Sequence, residues 1–216
     1  MNADVWPKRV FLAALIAGIS YVLAIAGQWQ GPAIIAWKGL GVGLLALYAA
    51  LCATERNGQQ IAWVMAFGAI GDIVLDIHFT AGATLFAIGH IIAINLYWRQ
   101  RRRNLGLGQF GLAASIILGA PLIAWVLTTR TDVLGYTVVL AIMAATAVLS
   151  RFPLSRTGLG AMLFVASDLL IFARMGPLAG SLMASLLVWA LYFGGQALIV
   201  SGVVGGLRQD QKGAAA

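Results

Sequence analysis

The stretch FGAIGDIVLDIHF, residues 67–79, sets two aspartates and a histidine inside one of the most apolar parts of a very apolar chain. If it is a membrane segment, it carries a carboxylate where lipid is expected. Composition says that it is. Of 216 residues, 61% are hydrophobic and 10% charged, whereas a soluble domain carries about 25% charged residues. One soluble core cannot absorb that much apolar surface, so the bilayer is the natural solvent. The 26 glycines agree, because small residues let membrane helices approach closely.

Working outward from this stretch, runs long enough to span a bilayer, roughly 20 mostly apolar residues each, fall at about 9–27, 32–53, 60–77, 79–98, 108–128, 133–150, 157–173 and 181–205. The links between them are short and hold the turn formers and charges, as in GQWQG, TERNGQ, RQRRRNLGLG and RMGPLAG. No link can hold a soluble domain, so residues 1–216 read as one all-α integral membrane domain of eight helices. The thinnest division is LDIHFTAG, between spans three and four.

Charge gives the orientation. Lys8, Arg9, Arg56, Arg99, Arg101, Arg102, Arg103, Arg151, Arg156, Arg208 and Lys212 lie on the N-terminal side, and only Arg130 and Arg174 on the other. Basic residues mark cytoplasmic loops, so both termini are expected in the cytoplasm, with the chain in the inner (plasma) membrane. The same bias accounts for the net charge of +7 without nucleic acid as a partner. Residues 8–27 also have the charged and apolar regions of a signal peptide. The apolar run is long for one, and a retained first helix makes the span count even. Cys52, the single cysteine, excludes an intrachain disulfide and reads as a small apolar residue.

Ionisable groups inside a bilayer cost about 2.5 kcal/mol or more each at its centre and are functional candidates. They are Lys38 in span two, Asp72 in span three, His90 in span four and Asp168 in span seven. Asp76 and His78 read as interfacial residues touching water. At 1.5 Å rise per residue, Lys38, Asp72 and Asp168 all lie roughly 8–9 Å below the outer edge of the hydrocarbon. Tyr21 is at a similar depth, with His90 and Tyr192 deeper. Charges from three helices at one depth suggest the wall of a shared polar cavity. The simpler alternative pairs Lys38 with one of the two aspartates as a structural ion pair, which leaves the second uncompensated. Two neighbouring buried carboxyls divide the work, one holding a proton while the other is ionised. That is an acid and a base in one pocket.

FGAIGDIVLDI and LFVASDLLIFA both read apolar, small residue, Asp, apolar, and each lies in the third helix of a four-span half. This fits two parallel four-helix halves with the site between them. Gly71 and Ser167 leave room beside the aspartates, and Ser167 can donate a hydrogen bond. Tyr192 and Gln196, four apart in LYFGGQALIV, share a helical face. No histidine, cysteine or carboxylate spacing suits a metal, and no phosphate or dinucleotide loop is present, so neither metal nor cofactor is expected.

Together these residues resemble the YhhN-like lysoplasmalogenase family of polytopic membrane enzymes, over about Lys38 to Gly202. The resemblance rests on the lysine of span two, IGDIVLD, LFAIGH, FVASDLLI and YFGGQALIVSG. Gly39 and Ala93 stand where that family often has proline and tyrosine. The resemblance implies hydrolysis of the vinyl ether bond of a lysoplasmalogen-type lipid. Asp72 and Asp168 would be catalytic, Lys38 and Tyr21 would bind the phosphate or tune the pair, and Ser167, His90, Tyr192 and Gln196 would line the lipid site. A small proton-coupled transporter is the alternative, since buried Asp and Lys suit proton coupling. An intramembrane aspartyl protease fits less well, because Ala69-Ile70-Gly71-Asp72 lacks the first glycine of its G-x-G-D segment.

The charge bias makes a prediction. Reporters fused after Gly205 and after Gly176 should report cytoplasm and exterior respectively. A C-terminus outside the cytoplasm would overturn the eight-span reading.

Overall fold

A computed structural model describes residues 5–214. Eight helices run α1 (Val5–Ala26), α2 (Pro32–Cys52), α3 (Arg56–Leu75), α4 (Phe79–Arg99), α5 (Leu107–Thr128), α6 (Thr131–Leu149), α7 (Leu159–Arg174) and α8 (Leu182–Ala214). A single π-helical turn, Leu154–Gly158, leads into α7. All eight spans are long and apolar enough to cross a membrane, so this is an all-α integral membrane protein. No strand occurs among the described residues; Arg101 and Ser150 form one isolated bridge.

The turns explain the helix ends. Gly31 takes φ of 116°, a conformation open to glycine, and hands the chain to Pro32, whose missing N–H is unneeded at a helix start. The thin LDIHFTAG link is a three-residue turn, Asp76–His78. His78 is more than an interfacial residue: its Nδ1 accepts from the Ala81 amide at 3.2 Å and caps α4. Exposed Trp6 and Trp98 lie at one end of the bundle and Trp29 and Trp125 at the other, as in the aromatic belts of membrane proteins.

Helices α1 to α4 pack each on the next, α5 pairs with α6, and α7 with α8. Helix α4 lies on α6, and α8 also touches α1, α2 and α3. The packing repeats in part between halves: α1–α2 corresponds to α5–α6 and α3–α4 to α7–α8, but α2 lies extensively on α3, whereas α6 makes only slight contact with α7. Helix α8 is longer than the sequence indicated. Its 33 residues continue through the polar GGLRQDQKG segment, where side chains tie it down. Arg151 holds Asp210 with both terminal nitrogens, and Gln211 bonds Thr54.

Helices α7 and α8 meet backbone to backbone. A Cβ on Gly160 would stand 2.6 Å from the Gly195 carbonyl oxygen, and one on Gly195 would stand 2.7 Å from that of Gly160. This contact sets how closely α7 and α8 pack. Gly194, next in sequence, has open space. Gly195→Ala should therefore destabilise the protein in detergent by about 1–3 kcal/mol through overpacking. Gly194→Ala should be neutral or stabilising, as a helical Gly→Ala change ordinarily is. Thermal unfolding of the two variants side by side checks this.

Candidate functional site

Helix α3 brings Asp72, and α7 brings Asp168, to the wall of one cavity of ≈ 450 Å³. Their residues are 2% and 5% exposed. Lys38, Ser167, Trp189, Tyr192 and Tyr136 also line it, among Leu75, Phe86, Val139, Val188, Ile171 and Phe172. At the rim stand Phe79 and Thr80, which open α4, and Thr131 and Asp132, which open α6. The cavity therefore runs from the helix ends on the Arg130 side inward to the two carboxyls.

Each carboxyl is held by a phenol. Tyr192 donates to Asp72 Oδ2 at 2.7 Å, and Tyr136 donates to Asp168 Oδ2 at 2.5 Å. The first tyrosine comes from α8, across the halves, and the second from α6, within its own half. The Oδ1 atoms accept no hydrogen bond from the described residues, which leaves them available to a bound molecule. Tyr192 reaches Asp72 from a deeper position because helical side chains lean toward the helix N-terminus, which here is the rim. Ser167 does donate a hydrogen bond, but to the Val188 carbonyl at 3.0 Å, so it binds α7 to α8.

Lys38 pairs with neither cavity aspartate. Its Nζ lies 2.6 Å from Asp76 Oδ1, with the side chains 14% and 35% exposed. The long stem lets the ammonium rise toward water, and Asp76 sits one turn above Asp72 on the same helix face. Asp76 is thus part of an ion pair at the rim, not simply a carboxylate in water.

Three candidates lie behind the cavity instead of in its wall. Tyr21 is packed between Trp37 and Trp189, with ring centroids 6.1 and 4.6 Å away. His90 stacks near Phe86, and its Nε2 is 3.2 Å from the Tyr136 hydroxyl. Gln196 Nε2 donates to the Tyr192 hydroxyl at 3.5 Å. The reason is geometric: Phe86, Tyr136 and Tyr192 are interposed and form the wall. Trp189 is fixed by donating to the Gly18 carbonyl at 2.7 Å.

Tyr136 escaped the sequence reading, as did the rim role of Asp76. A signal existed for the tyrosine. It lies five residues into α6 from the rim, a depth similar to that of Asp72 and Asp168.

The sequence profile of the YhhN family matches residues 33–203. No curated protein and no solved structure gave a significant match.

Proposed function

The chain belongs to the YhhN family, and on that premise we propose that it hydrolyses the vinyl ether bond of lysoplasmalogen-type lipids. The observation that carries this reading is the pair of carboxyls, each on its own phenol, in one mostly apolar cavity that reaches the helix ends on the Arg130 side. The cavity's size falls in the range of small-molecule sites, about 300–1,000 Å³. Its apolar wall suits an alkenyl chain, and its charged rim suits a headgroup.

The chemistry needs an acid, a base and nearby negative charge. One aspartic acid gives its proton to the β-carbon of R–O–CH=CH–R′, and the C=C pair forms the new C–H bond. The α-carbon becomes an oxocarbenium ion, stabilised by the ionised carboxylate across the cavity. That carboxylate then takes a proton from water as the water oxygen bonds to the α-carbon. The hemiacetal collapses to an alcohol, ROH, and an aldehyde, R′CH₂CHO. Together these products account for the ether and one water. Tyr136 and Tyr192 hold the carboxyls in place. Lys38 has two N–H groups beyond the one used on Asp76, and these can meet a phosphate.

Purified protein in detergent, given matched alkenyl and acyl lysolipids, should release free aldehyde from the alkenyl substrate only, with no membrane gradient. A transporter would consume neither. Asp72→Asn and Asp168→Asn should each remove nearly all turnover, and the double variant should lose little more, because the pair acts as a unit. Glu55→Gln, at the far end of the bundle, is the control. Turnover against pH should be bell-shaped, with two macroscopic pKa values that belong to the pair. If either single Asn variant keeps full activity, the assignment fails.

Lys38→Gln keeps a hydrogen-bond donor on a side chain one atom shorter and removes the charge. It should raise KM roughly tenfold or more, the worth of a charge-assisted hydrogen bond, and leave kcat nearly unchanged. Loss of kcat at constant KM would place the lysine in the chemistry instead.

A further inference from the structure

Behind the cavity, between α3, α4, α6, α7 and α8, lies a small void lined by His90, Tyr97, Gln196, Gly68 and apolar side chains. It offers ≈ 10 Å³ to the centre of a water-sized sphere, about the room one water needs. Tyr97 is fully buried, and its hydroxyl has no partner among the described residues. A buried hydroxyl left so costs about the full desolvation of the group.

The donors on either side can be counted. Tyr136 has one proton, and the 2.5 Å contact commits it to Asp168. At 3.2 Å from the same oxygen, His90 Nε2 must then be the donor. An uncharged imidazole that donates from Nε2 presents Nδ1 as an acceptor. On the other side Tyr192 gives its proton to Asp72, and Gln196 Nε2 donates to Tyr192. The Gln196 amide is thereby turned so that Oε1 is its free acceptor. Tyr97 thus brings one donor, and His90 and Gln196 bring two acceptors.

We propose that this void binds one water, which accepts from Tyr97 and donates to His90 Nδ1 and Gln196 Oε1, and so sets both phenols as donors to the two aspartates. One molecule then satisfies the orphan hydroxyl and joins the two Asp–Tyr pairs through Asp72–Tyr192–Gln196–water–His90–Tyr136–Asp168. It moves no proton through the amide; its part is orientation. Without it, His90 is free to carry its proton on Nδ1. Nε2 then accepts from Tyr136, and the phenol turns away from Asp168. His90, Tyr97 and Gln196 are positioning residues acting through the tyrosines. Their effect on turnover rests on the function proposed above; the water and the tautomer do not.

The chain has two histidines, and His78→Asn keeps a capping side chain on α4, leaving His90 as the sole imidazole. Ring ¹⁵N NMR of that protein in detergent should show the Nε2–H tautomer, with Nδ1 shifted by an accepted hydrogen bond. Adding Tyr97→Phe should move the Nδ1 signal and populate the Nδ1–H form. It should also lower the thermal midpoint, whereas in a dry void removal of an orphan hydroxyl would raise it. With alkenyl lysolipid, Tyr97→Phe and Gln196→Leu should each lower kcat about fivefold to tenfold at unchanged KM. A dominant Nδ1–H form in the parent, or a raised midpoint with unmoved ¹⁵N signals in Tyr97→Phe, overturns the proposal. If the NMR and stability results hold and no aldehyde appears, the water stands and the hydrolase reading falls.

Discussion

A carboxyl within the hydrocarbon must find donors from protein, because lipid supplies none. That constraint organises this molecule. Asp72 and Asp168 stand on different helices, and each is met by a phenol from a further helix. Four helices, α3, α6, α7 and α8, are thus bound to the positions of two hydrogen bonds. The Gly160–Gly195 backbone contact lets α7 and α8 come close enough to serve both. The two phenols in turn are touched from behind by His90 and Gln196. A lipid-facing carboxyl would instead have to remain protonated and unsupported.

The fold was largely legible because the bilayer leaves few choices. A run of about 20 apolar residues between charged links has only one good conformation. The ends were less legible. Helix α8 continues past Gly206 because Arg, Gln, Asp and Lys are tolerable in a helix, and Asp210 and Gln211 find partners in Arg151 and Thr54. Hydropathy sees only the loss of apolar residues there. The division into parallel halves rested on two short similar segments, and the packing around them repeats only in part: α3 on α4 matches α7 on α8, but α2 on α3 has no equal in α6 on α7.

At the site, depth was a sound guide to which residues share a cavity and a poor guide to which residues touch. It brought Asp72, Asp168 and Lys38 to one level, and all three line the cavity. It could not say that the Lys38 side chain rises one turn to Asp76, because a flexible stem of four carbons uncouples the charge from its Cα. Nor could it separate wall from backing. Tyr21, His90 and Gln196 have suitable depth, but Phe86, Trp189 and the two phenols stand in front of them. Rotation about a helix axis decides that, and a chain this uniformly apolar carries little rotational signal.

The distance between rim and carboxyls bears on the proposed substrate. Asp76, which holds Lys38 from the C-cap of α3, lies four residues beyond Asp72, a rise of about 6 Å. In a lysoplasmalogen, an ester oxygen and the three glycerol carbons separate the phosphorus from the vinyl ether oxygen, a span of about the same length. A phosphate held by the free N–H groups of Lys38 would therefore place the ether near Asp72, with the alkenyl chain against the cavity's apolar wall. A lipid with a longer headgroup changes nothing below the phosphate, so this ruler favours the bond by its distance from the charge. On this reading, Asp76 holds the ammonium at the rim, where it can bind phosphate, and away from the carboxyl that must keep or take a proton.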